Sequence, residues 1–389
     1  MRRVVLKPGR EGPVRGGHPW IFSGAVASGL EGAEPGEPVA VHAAGGRFLA
    51  AGYANPRTAI AIRVLTLEEE AVDAALVARR LDEALALRRA TLPPALDAYR
   101  VVNGEGDRLP GVVVDRYADF LVCQFLTAGA ARLAPAVVDG LVERLGPRGV
   151  LERSEGAVRR EEGLPGVRAV LAGEAPPPRI AVHEADAVFL VDVLHGQKTG
   201  FFLDQRESRA RVRALARGRR VLNAFAYTGA FAIAAARGGA RHVTSVDTSR
   251  PALALADEAC AANGIDPAVC TTVVADVFDF LRETADGWDV IVLDPPPFVR
   301  RRRDREAGLR GYKDVNLHAF RRLAPGGWLV TASCSQHVAA DAFRAVVAAA
   351  AADAGRVVTI VAEAGHPPDH PVLLAHPEGA YLKVLVVRA

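Results

Sequence analysis

Lysine and paired cysteine are what this 389-residue chain has least of. Among its 48 basic residues the lysines are Lys7, Lys198, Lys313 and Lys383 alone. The rest are arginines, whose planar fork suits bidentate phosphate contacts. Heavy use of Ala, Gly, Pro and Val fits a GC-rich genome equally well, so the global bias excludes little and local clusters carry the weight. The cysteines Cys123, Cys260, Cys270 and Cys334 form no CxxC pair and show no disulfide-like spacing, which leaves reduced thiols in a cytosol as the simplest account. The opening apolar run Val4-Val5-Leu6 stops at Lys7-Pro8-Gly9, too short for a signal peptide or a membrane span. A cytoplasmic protein with no membrane partner is therefore expected, and no metal site or internal repeat stands out.

What is present is material for several cores. Half of the residues are hydrophobic and 24% are charged, with a net charge of +3, and at this length three domains are expected. Residues 1–70 alternate short Val/Ile/Ala runs with Gly and Pro turns and predict strands at 39–42, 48–53 and 59–65, a β-rich module. Residues 71–175 predict a long helix over 72–90, strands at 112–114 and 120–125 and a helix over 133–145, a small α+β domain closed by the proline-rich stretch 173–178. Residues 176–389 alternate strand and helix: strands at 221–223, 243–246, 272–274, 290–293 and 329–332, helices at 230–237 and 251–263. Such alternation predicts an α/β, Rossmann-like domain whose parallel sheet is covered on both faces, with ligands bound beyond the carboxyl ends of the strands.

The candidate cofactor site is the loop Asn223-Ala224-Phe225-Ala226-Tyr227-Thr228-Gly229, which follows the first of these strands and opens a helix. With a single glycine it lacks the GxGxxG cradle of a pyrophosphate and suits a nucleoside cofactor without phosphate. Asp247 closes the next strand about 20 residues on, where a carboxylate accepts ribose hydroxyls. Asp276 closes the third, placed to meet an adenine amine, and a helix N-cap is its alternative role. Three acids or amides at successive strand ends point to an adenosyl donor, S-adenosylmethionine, rather than a nicotinamide.

The candidate chemistry lies at the next two strand ends. Asp294-Pro295-Pro296-Pro297-Phe298 follows the fourth strand, and its prolines fix the backbone so that the acid faces the cleft. Ser333-Cys334-Ser335 follows the fifth. Pyrimidine carbon 5 is a poor nucleophile, and its methylation needs prior addition at carbon 6. A thiolate suits that step because it attacks well and leaves well. Cys334 is the expected nucleophile, and Asp294 the group that bonds the N3 or amine edge of the base. Cys123 and Cys260, inside a strand and a helix, read as core, as does Cys270. Arg300, Arg301, Arg302 and Arg303 leave the Asp294 turn directly, followed by Lys313, and this run is expected to neutralise an RNA backbone.

At these residues the chain resembles the bacterial 23S ribosomal RNA cytosine-5 methyltransferases that carry an N-terminal PUA domain. The likeness spans nearly the whole chain. It includes Gly17-His18-Pro19-Trp20-Ile21-Phe22, Val102-Asn103-Gly104-Glu105-Gly106-Asp107, Glu152-Arg153-Ser154 and, most specifically, Gly196-Gln197-Lys198-Thr199-Gly200-Phe201-Phe202-Leu203-Asp204-Gln205-Arg206. The resemblance implies a PUA domain, a central α+β domain and a class I methyltransferase domain. It also implies S-adenosylmethionine as cofactor, Lys198, Asp204 and Gln205 around the cofactor pocket, Cys334 as nucleophile, and 23S ribosomal RNA as partner, with a homodimer admissible. Asn223 departs from the acid common at its position in such folds, and Pro297 from a common basic residue. Asp369-His370-Pro371 and His376-Pro377-Glu378 also resemble the family's pattern. Two other readings stay open: a base amine N-methyltransferase that uses the Asp294 turn without a thiol, and a noncatalytic RNA-binding or ribosome assembly factor.

Overall fold

The structure is a computed structural model that describes residues 1–389. The chain divides into two compact units, one made of residues 1–182, 191–203 and 368–379 and the other of 183–190, 204–367 and 380–389.

The first unit contains two sheets. A six-stranded sheet runs in the order Trp20–Phe22, Ile60–Thr66, Phe48–Ala54, Glu37–His42, Arg2–Leu6, Val26–Ser28. Only the pair Arg2–Leu6 with Glu37–His42 is parallel. Alternate residues Val4, Leu6, Val39 and Val41 point into its core with Ala50 and Ile62. A five-stranded sheet, in the order Val167–Gly173, Gly149–Ser154, Phe120–Phe125, Val112–Tyr117, Ala98–Asn103, carries two helices. Ala74–Thr91 is capped by Asp73, which accepts from the N–H groups of Ala75 and Leu76, and Ala128–Leu145 is capped by Thr127. Leu81, Leu85, Val137 and Leu141 of these helices meet Val114, Leu121 and Phe125 of the sheet. The two sheets are joined by buried polar contacts: Tyr53 Oη donates to Pro110 O at 2.7 Å, and Glu162 binds Arg63 at 2.7 Å and Asn55 at 2.8 Å.

The second unit is built on a seven-stranded sheet in the order Cys270–Val274, His242–Asp247, Arg220–Ala224, Trp288–Leu293, Leu323–Ser333, Lys383–Arg388, Thr359–Ala364. All neighbours are parallel except Lys383–Arg388, which is antiparallel to both strands beside it. The sequence reads as continuous apolar runs because both faces are covered. Leu222, Ile291, Leu329 and Leu385 face Leu281, Tyr312 and Phe343 on one side, while Val221, Val290, Val330 and Val386 face Val212 and Phe231 on the other. Chain order reverses between Arg220–Ala224 and Trp288–Leu293, so the crevice for a ligand opens at their carboxyl ends.

Candidate active site

The loop after Arg220–Ala224 is conformationally expensive. Phe225, Tyr227 and Gly229 have φ of 59°, 47° and 73°, and a left-handed backbone costs a residue with a side chain about 1–2 kcal/mol. The loop is pinned by Ala226 N donating to Val246 O at 3.0 Å, Tyr227 N to the Asp247 carboxylate at 2.8 Å, and Gly229 N to Ala226 O at 2.9 Å. A Cβ on Gly229 would lie 2.6 Å from Ala256 Cβ, so only glycine lets the loop settle on the helix Arg250–Ala262. Thr228 is buried beside it. Strain held by so many bonds is what a binding loop shows.

The strand-end acids differ from one another. Asp247 accepts from Tyr227 N through Oδ2 and from Ser249 N through Oδ1, both at 2.8 Å, and a carboxylate retains acceptor capacity beyond two bonds. Asp276 is exposed and caps the helix Val277–Glu283, its Oδ1 accepting from the N–H groups of Phe278 and Asp279. Between these ends Phe225, Phe278 and Phe298 form an aromatic cluster with ring centroids 5.7–6.2 Å apart.

Buried Asn223 donates from Nδ2 to Ser245 Oγ at 3.3 Å, and its Oδ1 has no partner. Asp204 and Gln205 are buried at the start of the helix Arg206–Leu215. Tyr381 Oη donates to Asp204 at 2.8 Å, and Gln205 Nε2 donates to Asp294 Oδ1 at 2.7 Å while Gln205 Oε1 has no partner. An unmet buried amide oxygen costs about 1–3 kcal/mol. Two such oxygens near a strand end fit a ligand that brings N–H or O–H donors, such as the amino group of an amino-acid-bearing nucleoside. Lys198 belongs to the first unit, with φ 51° and its Nζ over the Phe202 ring at 4.4 Å.

At the next two strand ends the thiol lies against the backbone of the turn that carries the acid. Cys334 is half-buried, and its Sγ lies 3.7 Å from Pro295 O, on the turn that begins at Asp294. That turn is braced by Ser335 and by Tyr312, which the sequence did not single out. Ser335 Oγ accepts from Val299 N at 3.1 Å and bonds Tyr312 Oη at 2.9 Å, and the fully buried Tyr312 ring packs on Phe298 at 4.7 Å. Burial, with a smaller contribution from Cys334, raises the Tyr312 hydroxyl above its ordinary range. Lys383, opposite Ser333 on the antiparallel strand, donates from Nζ to Ser335 O at 2.6 Å. Its burial, partly offset by Cys334, pushes the ammonium down to about 8. The one signal that would have found it is a lone lysine opening the apolar run Val384-Leu385-Val386-Val387.

The basic run is split. Arg300, Arg301, Arg302 and Arg303 are exposed on the segment that leaves the Asp294 turn. Lys313, on the helix Arg305–Arg322, pairs with Asp353 at 2.7 Å on the surface. Cys123 is fully buried in its strand, and burial drives its thiol far above the ordinary range.

The chain matches two family profiles: a PUA-like domain over residues 4–67 and the S-adenosylmethionine-dependent methyltransferase profile over residues 168–388. The protein named ribosomal RNA large subunit methyltransferase I from Cronobacter sakazakii is 43% identical over 387 residues, 98% of each chain. Its namesake from Erwinia tasmaniensis is 42% identical over 392 residues, 99% of each. A provisionally assigned SAM-dependent methyltransferase from Streptococcus mutans shares the fold over 100% of both chains, with TM-score 0.86 at 23% identity. Another structure, a methyltransferase complexed with SAH, gives 0.87 at 23% identity and the same coverage. With its PUA-like domain ahead of a Rossmann-like domain that uses S-adenosylmethionine, the chain belongs to the S-adenosylmethionine-dependent methyltransferases, in the family named ribosomal RNA large subunit methyltransferase I.

Proposed function

We propose that the chain forms 5-methylcytosine in 23S ribosomal RNA, in the cytoplasm, through addition of Cys334 to carbon 6 of the base. The observation that carries this reading is the thiol 3.7 Å from Pro295 O, on the turn that begins with Asp294, whose carboxylate accepts from Gln205 at 2.7 Å. S-adenosylmethionine, when bound, supplies an electrophilic methyl group. Asn223, Gln205, Asp204 and Asp247 would hold its polar groups, with Asp276, the Phe225-to-Gly229 loop and Lys198 completing the set implied by the resemblance.

The Cys334 thiolate attacks carbon 6, a sulfur–carbon bond forms, and the displaced π pair makes carbon 5 nucleophilic. Asp294 bonds the N3 or amine edge and stabilises the adduct. After carbon 5 is alkylated, a base removes its proton, the double bond re-forms and Cys334 leaves as thiolate. The exposed arginines 300–303 neutralise nearby phosphates. Residues 1–70, as a PUA-like RNA-binding domain, and residues 71–175 precede the catalytic domain 176–389 in this scheme.

Incubation with isotope-labelled cofactor and unmodified 23S ribosomal RNA, followed by nucleoside mass spectrometry, is expected to put the label on cytosine carbon 5. Label on a ring or exocyclic nitrogen would overturn the reading in favour of amine methylation.

A further inference from the structure

Lys383 is a cation in an unusual place. The strand Lys383–Arg388 enters the sheet antiparallel to Leu323–Ser333 with Ser333 opposite Lys383, so the lysine arrives at the level where Cys334 leaves. Its Nζ reaches along the departing chain to Ser335 O at 2.6 Å, and that carbonyl is its only hydrogen-bond acceptor. No carboxylate pairs with it, in contrast to Lys313, which has Asp353 at 2.7 Å. Two acids of the same unit are engaged elsewhere, Asp294 by Gln205 and Asp204 by Tyr381. From the helix side Tyr312 presents a hydroxyl bonded to Ser335. Besides burial, the Cys334 thiol is the titratable neighbour that bears on the lysine's charge. A half-buried ammonium that faces a single carbonyl is poorly compensated, and a thiolate beside it would supply the missing negative charge.

We propose that Lys383 is the positioning base of Cys334: its amine takes the thiol proton and, as the ammonium ion, holds Sγ as the attacking thiolate. The S–H bond breaks, an N–H bond forms and the electron pair stays on sulfur. When the carbon 6 adduct collapses, the thiolate returns beside the same ammonium, so the pair is ready for the next turnover without further proton transfer. A lysine whose ammonium is pushed down to about 8 lies close to an ordinary thiol at about 8.5, which keeps this exchange near balance. The proposal rests on the reading of Cys334 as nucleophile.

The test is site-resolved alkylation of Cys334 by iodoacetamide across pH, read by peptide mass spectrometry on the full chain without RNA. The wild type is expected to reach half-maximal rate below the ordinary thiol value of about 8.5. Lys383→Met moves that midpoint up by about one pH unit and slows alkylation near neutrality about tenfold, whereas Lys383→Arg keeps it low. Methylation by the Met variant recovers as pH rises, which a merely structural defect would not do. An unchanged midpoint in a Met variant that melts like the wild type and binds S-adenosylmethionine equally overturns the proposal. So does a wild-type midpoint at or above about 8.5, which needs no variant at all. If instead the thiol titrates as proposed but Cys334→Ala still methylates RNA, the nucleophile reading fails and the Cys334–Lys383 pair stands.

Discussion

Charge buried in ion pairs and polar groups at the strand ends of the second unit are handled differently. In the first unit, Arg63 and Glu162, Arg88 and Asp107, and Arg100 and Asp115 are ion pairs at 2.7, 2.5 and 2.5 Å, and at least one partner of each is nearly inaccessible. These pairs join a helix, strands and turns, and within each pair no charge is left over. At the strand ends of the second unit, Asn223 Oδ1 and Gln205 Oε1 have no donor and Lys383 has no carboxylate. The lesson is that a polar group satisfied inside the chain is structural mortar, while one left short at a strand end is reserved for something that arrives from outside.

That contrast can be broken experimentally. Cys334→Ala is expected to lower methylation of ribosomal RNA by about 10³-fold or more while S-adenosylmethionine affinity, measured by calorimetric titration, stays within about twofold. Full activity of this variant would remove the strand-end thiol from the chemistry. Arg88→Met, in the first unit, leaves Asp107 buried without its partner and is expected to cost about 3–5 kcal/mol of stability. Chemical denaturation checks it, and a change below about 1 kcal/mol would show that the pair is not mortar.

The two kinds of site were not equally legible. Secondary structure in the second unit followed from apolar runs and turns. The helix predicted over 230–237 is Ala230–Arg237 in the structure, and the strand predicted at 221–223 is Arg220–Ala224. The predicted strand at 329–332 proves much longer, Leu323–Ser333, because Leu323 already pairs with Trp288 of the parallel neighbour and Trp328 to Ser333 pair with the antiparallel one. The ion pairs of the first unit were invisible, since Arg88 and Asp107 meet only after a helix has packed against the turn Gly104–Asp107. The Trp20 motif gained its meaning the same way: its indole donates to Glu105 at 2.9 Å and its ring packs on His376 at 4.3 Å, residues far off in the chain.

Smaller effects sharpen the comparison. Gly229→Ala must place a methyl group 2.6 Å from Ala256 Cβ at a φ of 73°. Its expected cost of about 1–2 kcal/mol should appear as roughly tenfold weaker cofactor binding in a calorimetric titration. Replacing Arg300, Arg301, Arg302 and Arg303 by Ala should reduce the salt dependence of RNA binding by about one slope unit per lost phosphate contact and leave cofactor affinity unchanged. The smallest effect concerns His376, whose imidazole is held below its ordinary 6.5 chiefly by burial. As pH falls below 6.5 the unfolded chain takes up this proton before the folded one, so stability declines with acidity in that window. His376→Phe should flatten the dependence of the melting temperature on pH there.

By itself the sequence determined the elements and their order, because helix and strand periods and turn residues act within a few positions of one another. It also placed Asp294 and Cys334 at successive strand ends. Only the tertiary structure decided which polar groups would be satisfied. It gave Lys313 to Asp353, used Asp276 as a cap, and delivered Lys383 beside the Cys334 segment across 48 positions of chain. Charge neutralisation depends on which atoms end up within a few ångströms of each other, and that distance is set by the return of the last strand through the sheet, not by any local pattern of residues.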